Sequence, residues 1–412
     1  MVSSLYEQIR SEAASSGGWL AFDGFMELAL HHPTDGYYAA PMGPHGPFGK
    51  LGDFVTAPML GPWLALALAR RFEGLRQEHA QVPAQGPAQD AGRSNQPGGL
   101  GIREFGPGTG QLAADLLKAL WARDALPISY QLIERSAGLR AIQMETIRDS
   151  VASLGRAALE VIMPRMDWPL DWPTAADAQF HGLVVANEVA DTLAVKRFEW
   201  RGHDRAWEWG VVEDGSGLAW EPREAGGALL EAILRRHAQI QVPLGPWRPG
   251  HLGEWCPGLA PWGRTVMESI RWGDVIVIDY GYERLELDHP DRSGGTLAGH
   301  LAHRRVDDPL LWLREPGRMD LTAHVDFSDL AQAARAGGAT DVALQTQAAW
   351  CLDQGMLEAA QDMLFEDGVG APPSDPSRIR ALSNLQTLLS DNEMGQRFLV
   401  LTASQRQPAS PA

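Results

Sequence analysis

Residues Glu104 to Leu117 read EFGPGTGQLAADLL: an acidic residue, glycines at 106, 108 and 110, then a run with apolar side chains at helical spacing. The five residues before the turn, GIREF (101–105), are β-rich. A strand therefore delivers the chain into a turn whose glycines permit unusual dihedrals and close backbone approach. The helix expected from about Gln111 would point its first N–H groups at whatever the turn binds.

Working outward, further short apolar runs appear at SYQLIE (129–134), LEVIM (159–163), GLVVAN (182–187) and DVIVIDY (274–280), with DVALQTQ (341–347) and RFLVLT (397–402) later. Helix-like stretches separate the first four, the pattern of buried parallel strands alternating with helices in an α/β fold. Ahead of the turn the chain reads as helical: SLYEQIRSEA, AFDGFMELAL and TAPMLGPWLALALARRFEGL all carry helical apolar spacing. Residues 81–99 are rich in Pro, Gly, Gln and Ala and read as a linker, as does 366–378. After the fourth strand the alternation breaks. Residues 196–222 read as an antiparallel meander, followed by a helix at about 226–238 and a Pro/Trp-rich loop at 242–263. The expected organisation is an N-terminal helical extension and linker (1–98), a core (99–402) with an insertion at about 196–272, and a flexible tail (403–412). Because loops at the C-terminal strand ends line the ligand crevice of such sheets, the insertion is expected to shape an acceptor pocket.

The spacing at the turn is G-x-G-x-G, not the G-x-G-x-x-G of a dinucleotide site. Glu104, two residues before the first glycine, suits a cation better than a diphosphate. S-adenosylmethionine has a sulfonium and an ammonium and no phosphate, so it fits this turn. Glu134 ends the next strand, where a carboxylate accepts from ribose hydroxyls. Asp167, after the expected third strand, is a candidate for an adenine amino group or a plain loop aspartate.

Asn187 and Glu188 close the fourth strand, and Asp191 follows at i+3 from Glu188. A helical turn there would put both carboxylates on one side. Two carboxylates suit a guanidinium, which stays protonated and presents a planar fork. Glu188 is expected to bind it and Asp191 to support. The alternative is that Asn187 and Asp191 satisfy backbone groups near the strand end. Asp279 and Tyr280, with Tyr282, are pocket candidates at the end of the fifth strand, and His324 is a candidate base or a structural histidine.

A net charge of −17 argues against a surface that tracks nucleic-acid phosphates and leaves a basic protein segment or a small molecule as partner. Cys256 and Cys351 are too few for a disulfide framework or a Cys-based zinc site, and the histidine pairs at 31–32 and 300/303 lack accompanying ligands, so no metal is expected. The first residues, MVSSLYEQIR, lack the apolar run of a secretory signal, and no stretch reaches the about 20 apolar residues of a membrane span. The expectation is a cytoplasmic protein, with a homodimer compatible.

Eight segments occur in one order: DGYY (35–38), GDFVTAP (52–58), EFGPGTG (104–110), ANEVADTLAV (186–195), VIDYGY (277–282), GGTLAGH (294–300), DLTAHVDF (320–327) and MGQRFLVL (394–401). Together they resemble the MidA-type family of S-adenosylmethionine-dependent methyltransferases over almost the whole chain. The resemblance implies a class I methyltransferase with a seven-stranded Rossmann-like sheet, an N-terminal helical extension and an inserted substrate region. It implies a cofactor loop at Gly106, Gly108 and Gly110, Glu134 on the ribose, and a lid containing Gly52, Asp53 and Thr56. It also implies methylation of an arginine in a protein such as a respiratory complex I subunit. The chain departs from the family pattern on the acceptor side. Ala57 and Met59 replace a Ser and a Glu, Ala194 replaces a Pro, and Ala298 replaces an Arg. Another protein side chain, a small molecule, or a non-catalytic cofactor-binding assembly role remain open; an oxidoreductase fits the turn least.

Overall fold

A computed structural model describes residues 4–39, 56–81, 99–170, 172–173, 180–215, 217–364, 375–391 and 393–406. The chain divides into two units, one of residues 55–188, 264–279 and 334–412 and one of residues 1–54, 189–263 and 280–333.

The first of these carries the expected sheet. Among the described residues its main path has seven strands, numbered in chain order: β1 (Gly101–Phe105), β2 (Tyr130–Ile133), β3 (Met166–Asp167), β4 (Phe180–Asn187), β5 (Ile270–Tyr282, its last three residues in the other unit), β6 (Asp341–Thr346) and β7 (Phe398–Gln405); an eighth, two-residue strand, Val325–Asp326, pairs in parallel with the end of β5. The order of the seven is β3-β2-β1-β4-β5-β7-β6. β1 pairs in parallel with β2 and β4, β2 with β3, and β4 with β5, while β6 and β7 are antiparallel. The strand order reverses between β1 and β4, so a crevice opens at their C-terminal ends. The register sets Phe105 beside Ala186 and Asn187 beside Ile278, which places the glycine turn and residue 188 at that same edge.

The strands form where apolar residues run on without a break: all five residues of β1 and five of eight in β4 are buried, as in a sheet covered on both faces. LEVIM is the exception. It lies in a helix, Arg156–Ile162, followed by a 3-10 turn at Met163–Arg165. Ala158 and Ile162 are its buried pair at i,i+4, and Arg156 bonds Glu160 at 2.7 Å along the same helix. The third strand is therefore only Met166–Asp167. The tail also differs from expectation. β7 continues to Gln405 with Ala403 buried, and Arg406 pairs with the fully buried Asp274 at 2.9 Å, which also takes Arg71 at 2.6 Å. Paired on both sides, the buried Asp274 carboxylate holds Arg406 in place.

In the other unit the meander is present as Lys196–Gly202, Arg205–Asp214 and Gly217–Glu224, all antiparallel, with Leu20–Ala21 and Leu252–Trp255 added at the sides. The helix after it runs over Gly227–Leu244, longer than expected. A three-stranded sheet of Ala298–Leu301, Arg304–Val306 and Asp320–Thr322 was not legible in the sequence. The units do not follow the expected boundary at residue 98. Leu5, Ile9, Phe22, Phe25 and Met26 share one core with Val195, Val211, Trp312 and Leu321, so the two leading helices (Ser4–Ser15, Phe22–His31) belong with the insertion. Helix Trp63–Ala80 belongs with the sheet. Among the described residues no helix is long and apolar enough to cross a membrane.

Candidate functional site

The glycine turn has the expected geometry. Gly106, Gly108 and Gly110 all have positive φ, at 57°, 54° and 82°, a region that costs an L side chain about 1–2 kcal/mol. Gly110 caps the helix Gln111–Ala122, and a Cβ on it would stand 3.1 Å from Cα of Gln143. The turn closes through Gly110 N–H to Pro107 O at 2.8 Å, and Gly106 N–H donates to Ile133 O of β2 at 3.1 Å.

Glu104 is 2% exposed, and its Oε2 accepts from the Tyr130 hydroxyl at 2.6 Å. Burial pushes this carboxyl up to about 7, opposed by the Tyr130 hydrogen bond. A carboxylate kept so dry gains from a nearby cation, which is what a sulfonium or ammonium offers. Glu134 follows β2 with both oxygens held: Oε1 accepts from Ser136 N–H at 2.8 Å and Oε2 from Gln143 Nε2 at 3.1 Å. Burial raises its pKa as well, opposed first by the Ser136 bond. Asp167 ends β3 exposed; the residue after it, Trp168, donates its indole N–H to Gln143 Oε1 at 3.1 Å. Gln143 also donates to Gly108 O at 2.9 Å.

Gln143, Tyr130 and Trp168 were not among the residues expected at the site. Gln143 had a signal: it is the polar member of the stripe Leu139, Gln143, Ile147, Val151, the buried face of helix Ala137–Ala152.

Gly52 and Asp53 of the lid segment lie outside the described residues. Thr56 precedes a 3-10 turn at Ala57–Leu60 without capping it through its side chain. Ala57 is fully buried, and its N–H donates to Glu188 Oε1 at 3.3 Å. The same oxygen accepts from Asn187 Nδ2 at 3.1 Å, and Glu188 N–H donates to Ile278 O at 2.8 Å. Glu188 itself sits at φ 55°. Such strain at a non-glycine residue clusters at functional sites. It also corrects the expected helical turn: Glu188 is left-handed, and the 3-10 turn of Ala190–Thr192 begins only after it. The i+3 spacing therefore does not set Glu188 and Asp191 on one helical face.

Asp191, Tyr280 and His324 come together within the other unit. Tyr280 donates its hydroxyl to Asp191 Oδ2, and the Asp191 backbone carbonyl accepts from Ala323 N–H at 3.1 Å. Burial raises Asp191 to about 6, opposed first by the Tyr280 bond. The His324 ring lies 5.4 Å from that of Tyr280 and 5.2 Å from that of Tyr282. Burial lowers His324 to about 4, so it is neutral at ordinary pH. Its backbone N–H donates to Thr296 Oγ1 at 3.1 Å, and Glu254 Oε2 accepts from the Thr296 N–H at 2.7 Å. Asp279 is fully buried in β5, and as a strand neighbour of Tyr280 it leaves on the opposite face. The two therefore do not line one wall.

The strand order, the three left-handed glycines and the carboxylate after β2 define a class I S-adenosylmethionine-dependent methyltransferase. The residues fit that cofactor: Gly110 starts the helix at a left-handed φ of 82°, and Glu134 is oriented by bonds to both oxygens. A family model described as "Putative S-adenosyl-L-methionine-dependent methyltransferase" matches residues 88–344. The chain belongs to this MidA-type family.

The chain is 25% identical over 401 residues to the protein arginine methyltransferase NDUFAF7, mitochondrial, of Rattus norvegicus, covering 93% of this chain and 80% of the rat protein. It is 25% identical over 425 residues to the NDUFAF7 homolog, mitochondrial, of Drosophila melanogaster, covering 97% and 84%. A crystal structure from Burkholderia thailandensis bound to S-adenosyl-homocysteine superposes with a TM-score of 0.79 at 31% identity, covering 97% of this chain and 92% of that one. The relatives' names overturn the expectation of a cytoplasmic protein, since both are mitochondrial.

Proposed function

We propose that the chain methylates an arginine side chain of a protein. The observation that carries this is Glu188, a carboxylate held in a left-handed conformation at the end of β4, beside the point where the strand order reverses. S-adenosylmethionine supplies an electrophilic methyl group on a sulfonium. The chain's own task is to hold the acceptor in line with it and to take up a proton. A guanidinium offers N–H donors in a planar fork, and a carboxylate accepts them with directional bonds. Glu188 binds that fork and accepts the proton lost as the new C–N bond forms, while Asn187 and Ala57 N–H orient its carboxylate. Asp191 is fixed by Tyr280 within the other unit. Relatives named as protein arginine methyltransferases support this reading. The family resemblance extends it to a subunit of respiratory complex I or a similar protein.

The test is transfer of tritiated methyl from S-adenosylmethionine into a lysate of cells lacking the gene, with hydrolysis of the labelled band to amino acids. Methylarginine in one protein band, lost with Glu188→Gln while S-adenosyl-homocysteine still binds, is the expected outcome. Label in another amino acid or only in small molecules refutes the arginine acceptor, and the replacements at Ala57, Met59, Ala194 and Ala298 are then where specificity has changed. Unchanged turnover in Glu188→Gln removes Glu188 from the chemistry.

A further inference from the structure

Gln143 is fully buried, yet it lies on no strand end and in none of the motifs that carry the family resemblance. Its carboxamide meets three partners that belong to three different segments. Nε2 donates to the carbonyl of Gly108, in the middle of the glycine turn, at 2.9 Å. The same nitrogen donates to Glu134 Oε2, after β2, at 3.1 Å. Oε1 accepts from the indole N–H of Trp168, after β3, at 3.1 Å. Two acceptors on one side and one donor on the other fix which end is nitrogen; the flipped amide would set oxygen against two oxygens. The three segments follow β1, β2 and β3, the consecutive strands whose ends carry the cofactor turn, the ribose carboxylate and the expected adenine side.

We propose that Gln143 is the positioning residue of the cofactor site: one buried carboxamide that locks the glycine turn, the Glu134 carboxylate and Trp168 into a single geometry and so sets the affinity for S-adenosylmethionine. The proposal rests on the cofactor reading of this site. A turn with three left-handed glycines has much conformational freedom to lose when it closes on a ligand. A hydrogen bond from a helix that is itself anchored in the core removes part of that freedom beforehand, which appears as affinity. The helix is well placed to do so. Its Ser136 cap accepts from Leu139 N–H at 3.2 Å, and Arg140 donates to Glu134 O at 2.8 Å, so Glu134 and Gln143 are carried on one rigid piece. Ser136 N–H and Gln143 Nε2 each hold one Glu134 oxygen, and the Arg135 backbone N–H adds a further bond, so the carboxylate has one fixed orientation.

Binding of S-adenosyl-homocysteine by calorimetry tests this in the full chain with Gln143→Leu and Gln143→Glu, each compared with wild type at pH 6 and pH 8. The leucine removes both donors and the acceptor at similar size, and a loss of affinity of about 10- to 100-fold is expected. The introduced carboxyl shares a proton with Glu134 when protonated and still donates one bond; ionised, it repels Glu134. The ratio of variant to wild-type Kd should therefore rise about tenfold from pH 6 to pH 8, a dependence that a merely space-filling residue would not produce. A folded Gln143→Leu that binds within twofold of wild type overturns the proposal, as does a Gln143→Glu ratio that ignores pH. If Gln143→Leu does not fold, the pH ratio decides. If wild type itself fails to bind, the cofactor reading falls and this proposal falls with it.

Discussion

Replacing Glu104 by Gln isolates the cost of holding a carboxyl dry at the cofactor turn. Glu104 is 2% exposed, and its acceptor bond from Tyr130 survives the change because the amide oxygen can accept it. Burial moves the carboxyl from 4.5 to about 7 in the native state. Between those values the native protein keeps a proton that the unfolded chain has released, so stability falls as pH rises through the window and is level above it. At 1.36 kcal/mol per unit the loss reaches about 3 kcal/mol by pH 7. The assay is urea unfolding of the ligand-free protein at pH 5, 6, 7 and 8, wild type against Glu104→Gln. The difference cancels every other titrating group, Asp191 included. The variant should gain about 2.5 kcal/mol on wild type from pH 5 to pH 8, since a little of the loss is already present at pH 5. A cation beside Glu104 favours its ionised form, so wild-type affinity for S-adenosylmethionine should rise over pH 6 to 8 and the variant's should not. Parallel stability curves for the two proteins would refute the burial argument. Equal pH dependence of binding would refute the placing of the cofactor's cations beside this carboxylate.

Two further predictions concern backbone conformation. Gly110→Ala puts a methyl at φ 82° and 3.1 Å from Gln143 Cα, so it should lower stability by about 1–2 kcal/mol and weaken S-adenosyl-homocysteine binding; a thermal melt and titration at the wild-type level would show that the turn can relax. Glu188→Gly and Glu188→Ala remove the same carboxylate, but only glycine accepts φ 55° without strain. The glycine variant should therefore be the more stable by about 1 kcal/mol in urea unfolding, with the reverse order showing that residue 188 is unstrained.

The sequence by itself determined the sheet's main strands, the glycine turn and the Glu134 position. An unbroken apolar run between turn residues has few readings other than a buried strand, and a G-x-G-x-G turn marks backbone that only glycine enters cheaply. LEVIM shows the limit of that logic: a five-residue apolar run serves a buried helical face equally well, and the two-residue β3 leaves no pattern at all. The tertiary structure alone decided the rest. Local periodicity cannot say that the two leading helices share a core with the insertion, because any amphipathic face suits any apolar neighbour. Asp191 finds Tyr280 from 89 residues away, Gln143 joins three segments, and Glu188 accepts from Ala57 N–H and donates its own N–H to Ile278 O. Hydrogen-bond partners and backbone strain belong to groups brought together by folding, so a linear pattern can propose the chemistry of a residue while the packed chain decides what that residue touches.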